Sequence, residues 1–137
     1  MKSHTEYLTF ETREHRENIN ITTRVAEFLS TTGIQEGFLL VSAMHITAGV
    51  FINDNEEGFL RDLDAFLDRE APEYYDYKHN ESGEMNGASH LRNIIVGHQV
   101  IVPVTRGKLD LGPWQQIFYA EFDGQRPKRL VLKVIGE

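Results

Sequence analysis

Apolar and polar residues follow two periods along the chain, and each period predicts one type of element. Residues 7–11 alternate around Leu8 and Phe10, as expected of a half-buried strand. Residues 37–44 contain an uninterrupted apolar run, which is typical of a strand buried on both faces. Residues 49–52 look like its partner strand. Further strands are expected at 98–104, where Pro103 indicates an edge or a bulge, and at 116–122 and 129–135.

Two longer segments repeat their apolar residues at helical spacing. The first begins at Asn20, which can cap it, and ends at Gly33, which can leave the helical conformation. The second ends before Pro72. The apolar stripes are Ile21, Val25, Phe28 and Leu29 in the first helix, and Phe59, Leu63, Phe66 and Leu67 in the second.

The rest of the pattern predicts a short third helix and an α+β fold. This helix ends near Gly97, and we expect Leu91, Ile94 and Ile95 to face inward. Residues 73–86 are polar and turn-rich, which indicates a loop. Because strands stand at both ends with helices between them, we expect one compact domain over residues 1–137. Its antiparallel or mixed, sandwich-like sheet carries two or three packed helices.

Composition and charge narrow the classes of function. The net charge of -7 argues against a nucleic-acid partner, because phosphate neutralisation along a strand needs clustered cations. The absence of cysteine excludes a disulfide framework, an iron–sulfur cluster and a thiol nucleophile. No apolar run has the length of a membrane span, and no signal peptide is visible, so we expect a cytoplasmic protein without a membrane partner.

Histidines are the side chains best placed for chemistry. His45 directly follows an apolar strand, His79 lies in the polar loop, and His90 lies near the start of the third helix. Imidazole can bind a metal or move a proton near neutral pH. Their spacing matches no local zinc motif, so spacing alone favours unrelated surface or capping histidines. Glu121 lies among apolar neighbours, which suits either an acid/base group or an acid that is paired at a sheet edge or faces solvent.

Other polar residues extend the candidate site. Asn53 precedes the second helix and either helps to cap it or supports a site at His45. Trp114 and Gln115 follow two glycines that permit close approach to a ligand, although the loop could equally be anchored by its tryptophan. Lys108 and Arg126 could meet a phosphate, and Arg126 could instead pair with Asp123.

Several segments, taken together and in order, resemble the YjbQ-like family, whose members are often described as secondary thiamine-phosphate synthases. The resemblance covers almost the whole chain. The matching residues are 45–50 with 53–55, His79, 86–91, 101–104, 107–109, 111–112 with Trp114 and Gln115, 121–124 with Arg126, and 134–136.

The resemblance implies a trimer with a cleft in which His45, His79 and His90 cluster and in which a divalent metal, zinc or magnesium, could bind. It also implies a phosphorylated small molecule as ligand. The associated activity joins a pyrimidine pyrophosphate to a thiazole phosphate and releases pyrophosphate. Two alternatives stay open: a non-catalytic trimeric module that binds a small anion or metabolite, and a structural oligomer whose histidines only satisfy hydrogen bonds.

Overall fold

Two antiparallel sheets and three helices make up the structure, a computed structural model that describes residues 1–137. The strands are β1 (Lys2–Phe10), β2 (Glu17–Asn20), β3 (Glu36–Ala43), β4 (Ala48–Asn53), β5 (Gln99–Thr105), β6 (Lys108–Leu109), β7 (Gln116–Glu121) and β8 (Lys128–Gly136). The helices are α1 (Thr22–Thr32), α2 (Glu57–Glu70) and α3 (Gly87–Val96), with a 3-10 helix at Lys78–Ser82. The predicted α+β class is confirmed.

The main core lies between the sheets. The five-stranded sheet has the order β1-β8-β3-β5-β6, and the three-stranded sheet has the order β2-β7-β4. Helix α1 contributes Val25, Phe28 and Leu29 to this core, as its apolar spacing predicts. On the three-stranded sheet the residues that alternate inward include Ile117 and Tyr119, and the Tyr119 ring stacks on Phe10 at 4.5 Å between centroids.

A second, smaller cluster covers the other face of the three-stranded sheet. Leu67 of α2 packs there with Ala120 and Phe122, and Leu63 joins them at the edge. Only part of the predicted stripe of α2 is covered, since Phe66 remains largely exposed. None of the three helices is long and apolar enough to cross a membrane.

The predicted pairing of the strands at 37–44 and 49–52 is wrong. Strand β4 pairs with β7, with Ala48 opposite Glu121 and Asn53 opposite Gln116, whereas β3 lies between β5 and β8 in the other sheet. The short connection at 44–47 therefore crosses from one sheet to the other. Periodicity identified both strands but holds no information about a partner far along the chain.

Strand β3 is also not buried on both faces. Leu39 and Val41 face the core, whereas Phe38 is 58% exposed and Leu40 lies only partly covered. The exposed positions form what we call the outer sheet face, a shallow apolar surface consisting of Phe38, Leu40, Gln99, Ile101, Lys133 and Ile135. It encloses a depression of about 460 Å³.

Helix α3 presents the face opposite to the predicted one. Leu91, Ile94 and Ile95 are exposed, and the residues against the protein are Gly87, Ala88, Ser89 and Arg92. Small side chains let α3 approach the three-stranded sheet closely. The predicted loop at 73–86 also contains the 3-10 helix, which is tied to the start of α3.

Candidate functional site

His90 is positioned by hydrogen bonds that fix α3 to the three-stranded sheet. The Ser89 hydroxyl donates to the backbone oxygen of Phe122 at 2.7 Å, and the Asn93 amide donates to the oxygen of Ala48 at 2.5 Å. These bonds join α3 to the residue that directly follows β7 and to the first residue of β4. His90, next to Ser89, is therefore held at the end of the sheet where Glu121 lies opposite Ala48.

His79 reaches the same place from the 3-10 helix. The Asn80 side-chain oxygen accepts a hydrogen bond from the Gly87 amide at 3.0 Å, which fastens this helix to the N-terminus of α3. A Cβ atom at Gly87 would lie 2.7 Å from the Tyr77 side chain, so only glycine permits this contact. The rings of His79 and His90 then lie 4.2 Å apart between centroids.

A chain of hydrogen bonds orients His79 toward an acid. Its Nε2 lies 2.8 Å from the side-chain oxygen of Asn86, and the Asn86 amide donates to Asp123 Oδ2 at 2.9 Å. Because an amide oxygen can only accept, Nε2 of His79 carries a proton. Asp123 is almost fully buried, and its carboxylate polarises the imidazole of His79 through the two hydrogen bonds of Asn86.

His45 lies in the crossing segment between β3 and β4, on the other side of Phe122. Its Nδ1 lies 3.2 Å from the backbone nitrogen and 2.9 Å from the hydroxyl oxygen of Thr47. The Phe122 amide donates to the Thr47 oxygen at 3.2 Å. Phe122 thus joins the segment of His45 to the helix of His90, and all three histidines flank one end of the three-stranded sheet. We call His45, His79, His90, Asn86 and Asp123 the histidine site.

A fully buried ion pair lies beneath the histidine site. Lys128 at the start of β8 bonds Glu121 Oε2, and the hydroxyl of Tyr119 donates to Glu121 Oε1 at 2.9 Å. The amide of Asp123 donates to Oε2 at 3.2 Å. Burial and the neighbouring carboxylate both raise the pKa of Tyr119, so its hydroxyl stays protonated. With every oxygen occupied, Glu121 fits the paired-acid interpretation of its sequence position.

Both half-buried histidines are biased toward the neutral form. Desolvation by burial is the largest cause that lowers the pKa of His45, followed by the charge of Lys128. Burial likewise lowers the pKa of His90, with the neighbouring His79 as the next cause. The charge of Lys128 lowers the pKa of both imidazoles, and the charge of Asp123 opposes this decrease in both.

Arg126 adds a half-exposed cation beside Asp123. Its Nη2 lies 3.4 Å from Asp123 Oδ2, and about half of its side chain is exposed. Its positive charge also acts on His45 and lowers that pKa. Nδ1 of His15 lies 3.7 Å from the other carboxylate oxygen of Asp123, Oδ1. Asp123 is therefore shared by Asn86, Arg126 and His15.

The residues present do not fit a metal centre in this arrangement. No group of three His, Asp or Glu side chains is placed to hold an ion. One nitrogen of His79 donates to Asn86, and one nitrogen of His45 faces two groups of Thr47. The divalent metal implied by the resemblance stays a prediction that these contacts do not support.

Comparison with known proteins identifies the family. The model of the family described as UPF0047 protein YjbQ-like matches residues 6–137. The chain belongs to the YjbQ-like family. A UPF0047 protein of Methanothermobacter thermautotrophicus is 39% identical over 137 residues, which cover 100% of this chain and 95% of that protein. The UPF0047 protein YugU of Bacillus subtilis is 37% identical over 131 residues, covering 94% and 97%.

Solved structures share the fold of this YjbQ-like chain. A YbjQ-like protein of unknown function from Sulfolobus solfataricus P2 superposes with a TM-score of 0.95 at 29% identity and covers 99% of both chains. A hypothetical protein from Aeropyrum pernix K1 gives a TM-score of 0.92 at 34% identity, covering 98% of this chain and 99% of that one. These similarities support the architecture, whereas the chemistry of the site has to be inferred from its own residues.

Four predicted site residues of the YjbQ-like chain lie away from the histidine site. Asn53 and Gln116 face each other at the opposite end of β4 and β7, roughly 17 Å from the pair Ala48 and Glu121 at ~3.4 Å per residue. Trp114 and Gln115 precede Gln116, and Lys108 lies on the edge strand β6. The single chain therefore joins only His45, His79, His90, Glu121 and Arg126 of the predicted set.

The structure also shows site residues to which the sequence pattern assigns no role. Asp123 and Asn86 link His79 to Arg126, and Thr47 with Lys128 supports His45. Lys128 could have been suspected, because a lysine that begins an alternating apolar strand lies on its core-facing register with Leu130 and Leu132. The signal for Thr47 is weaker, since it lies in an irregular segment between strands.

Proposed function

We propose that the histidine site binds the phosphate or pyrophosphate group of a small molecule through direct hydrogen bonds from its own side chains. The observation that carries the proposal is the half-exposed guanidinium of Arg126, which lies 3.4 Å from Asp123 and whose charge also reaches the half-buried imidazole of His45. Guanidinium and N–H donors in a partly desolvated site are suited to phosphate oxygens. The acidic chain as a whole offers no general attraction, so the cations must act locally.

The most concrete reaction for such a site is the one associated with the family. The carbon–oxygen bond between a pyrimidine methylene group and pyrophosphate breaks, and pyrophosphate leaves with the electron pair. The ring nitrogen of a thiazole phosphate forms the new carbon–nitrogen bond and becomes positively charged. Because that nitrogen carries no proton, no base is needed. Arg126 and the imidazole N–H groups would stabilise the negative charge that develops on the departing pyrophosphate.

The test compares turnover with folding in histidine variants. Purified protein receives the pyrimidine pyrophosphate and the thiazole phosphate, and both thiamine phosphate and pyrophosphate are measured. We expect His90→Ala and His45→Ala each to lower turnover by roughly 10²–10³-fold, the usual loss when a donor that stabilises developing negative charge is removed. Their melting temperatures should stay close to the wild type, because neither imidazole belongs to the hydrophobic core.

His4→Ala is the matched control, since His4 is exposed on β1 in the other sheet. It should change neither turnover nor melting temperature. If activity in the His45 and His90 variants merely follows the folded fraction, the two histidines support the fold and the proposed chemistry is wrong.

One observation favours binding without turnover as a second candidate function. Both buried acids of the region are occupied, Glu121 by Lys128 and Asp123 by Asn86 and Arg126, so neither is free to hold a divalent metal ion that would assist the departure of pyrophosphate. A non-catalytic anion-binding module predicts tight binding of pyrophosphate by calorimetry with no product from the paired substrates.

We also propose that the chain assembles as a homo-oligomer, with the trimer as the expected form. The outer sheet face supports this, because a contiguous apolar surface on a soluble domain commonly marks an interface. Assembly would also be a route by which distant residues such as Trp114, which is 76% exposed, approach another chain's ligand.

A further inference from the structure

We infer that Thr47 and Lys128 are positioning residues that hold His45 in one tautomer, with the proton on Nε2, so that this histidine donates a hydrogen bond to an anionic ligand. The inference rests on the proposed anion site and specifies how one of its members is prepared. It assigns a role to a buried lysine and a buried threonine that do not themselves reach the ligand.

The first step is the fully satisfied ammonium of Lys128. An ammonium group has three protons and no lone pair, so it can only donate. Its three acceptors are Glu121 Oε2, the Thr47 hydroxyl at 2.8 Å and the Thr47 backbone oxygen at 3.3 Å. The Thr47 hydroxyl oxygen therefore receives one of these protons.

The second step is the direction of the remaining hydroxyl proton. Thr47 is fully buried, so its hydroxyl proton cannot be satisfied by bulk water. The nearest acceptor is Nδ1 of His45 at 2.9 Å, and the Thr47 backbone N–H approaches the same nitrogen at 3.2 Å. Two donors thus converge on Nδ1, which must offer its lone pair.

The opposite tautomer would leave polar groups unpaired. A proton on Nδ1 would face the Thr47 backbone N–H, and the Thr47 hydroxyl proton would lose its acceptor. An unsatisfied buried donor typically costs ~1–3 kcal/mol. Nδ1 therefore stays the acceptor, and the neutral imidazole carries its proton on Nε2.

The consequence concerns the class of ligand. Nε2 of His45 makes no hydrogen bond within the chain. It is also not a buried atom without a partner, since Arg16 Nη2 is the one side-chain nitrogen or oxygen atom of that kind. Nε2 is therefore open to solvent. A protonated nitrogen has no lone pair for a metal ion, whereas it is a good donor to a phosphate oxygen. The support from Thr47 and Lys128 thus selects an anion at His45.

The experiment observes the tautomer directly. Protein labelled with ¹⁵N in its histidines is examined by long-range ¹H–¹⁵N correlation at about pH 8, where imidazoles are neutral. The protonated nitrogen and the lone-pair nitrogen resonate at well-separated frequencies. We expect Nδ1 of His45 to show the lone-pair frequency and Nε2 the protonated one. A protonated Nδ1 in the wild type overturns the inference.

Thr47→Val removes the hydroxyl while keeping the shape of the side chain, and Thr47→Ser restores it. We expect the Nδ1 resonance to move in the valine variant and to return in the serine variant, with the signals of exposed His4 unchanged in both. Lys128→Met is the second variant, in which the released hydroxyl should give a mixture of tautomers. Unchanged His45 signals in a folded Thr47→Val protein contradict the role of Thr47.

Titration with inorganic pyrophosphate separates this inference from the proposed function. We expect Thr47→Val to weaken binding by on the order of tenfold, as for one charge-assisted hydrogen bond, and His45→Gln, which keeps an N–H donor of similar reach, to bind better than His45→Ala. The predicted tautomer without pyrophosphate binding supports the positioning role and refutes the anion site. Pyrophosphate binding with a protonated Nδ1 supports the anion site and refutes the positioning role.

Discussion

At the scale of single residues, the histidine site depends on which nitrogen and which oxygen each neighbour occupies. The side-chain oxygen of Asn86 accepts a hydrogen bond from His79 Nε2, and its amide group donates a hydrogen bond to Asp123. Glu121 has no free oxygen because Lys128, Tyr119 and the Asp123 amide fill both. Each acid therefore organises its neighbours, and the half-exposed guanidinium of Arg126 is left with donors that face solvent.

The lowered pKa values of His45 and His90 predict a loss of stability on mild acidification. The unfolded chain takes up protons near the ordinary value of 6.5, whereas the folded chain resists until its lower pKa is reached. The contribution of these two histidines to the free energy of unfolding is thus fully present above about pH 6.5, and it decreases as the pH falls toward the folded pKa values.

Melting temperature measured across this range checks the prediction. We expect the decrease to become shallower in a His45→Gln/His90→Gln double variant, since glutamine does not titrate. The exposed His4→Gln change is the control and should leave the curve unaltered. A double variant with the same slope as the wild type would show that other groups cause the acid sensitivity.

At the scale of elements, one arginine joins two helices. The guanidinium of Arg92 on α3 is fully buried and donates to the oxygen of Ala71, just past the end of α2, at 2.9 and 3.2 Å. It also pairs with Glu73 at 3.3 Å and with Asp68 at 3.4 Å. A cation at a helix C-terminus satisfies carbonyl groups that the helix itself cannot pair, so Arg92 fixes α2 relative to the helix that bears His90.

Replacing Arg92 by Met should lower the free energy of unfolding by about 1–3 kcal/mol, because the Ala71 carbonyl and two acids lose their donor. Arg61→Met is the matched control, since Arg61 forms only an exposed pair with Glu57 one turn away. The control should change stability by no more than ~0.5 kcal/mol. Urea denaturation measures the free energy of unfolding of both variants. Equal decreases in the two variants would show that Arg92 does not join the two helices.

At the scale of the whole molecule, the two faces of the five-stranded sheet differ in what covers them. The inner face packs on the three-stranded sheet and α1, whereas the outer sheet face has no helix or strand over it. Phe38 and Ile101 are each more than half exposed. A second copy of the chain would remove this apolar area from water and gain free energy roughly in proportion to the area buried.

Light scattering across micromolar concentrations should give the mass of an oligomer, with a trimer expected. Ile101→Lys should shift the mass toward the monomer, because an ammonium buried in an apolar interface without a partner is costly. Tyr74→Lys is the control, since Tyr74 is exposed on the segment after α2 and does not belong to the outer sheet face. A monomeric wild type at all concentrations contradicts the assembly, and an unchanged mass in Ile101→Lys places the interface elsewhere.

Local pattern was sufficient for the elements but not for their partners. The spacing of Val25, Phe28 and Leu29 predicted α1 and its buried face, because an isolated helix buries whichever side carries the apolar stripe. The same logic failed for α3, where Leu91 and Ile94 stay exposed and Arg92 faces inward. An arginine side chain is buried only where hydrogen-bond acceptors such as the Ala71 carbonyl are available, and these acceptors belong to another element.

The sequence by itself determined the α+β class, the positions of the main strands and the three histidines as candidates, because periodicity, residue type and family resemblance are properties of the chain order. Tertiary structure alone decided that β4 pairs with β7, that Glu121 meets Lys128 rather than a ligand, and that Thr47 faces His45 from beneath. These contacts depend on which strands the connection at 44–47 brings into the same sheet. Hydrogen-bond direction is fixed by such neighbours, so only the folded chain determines which nitrogen of His45 carries the proton.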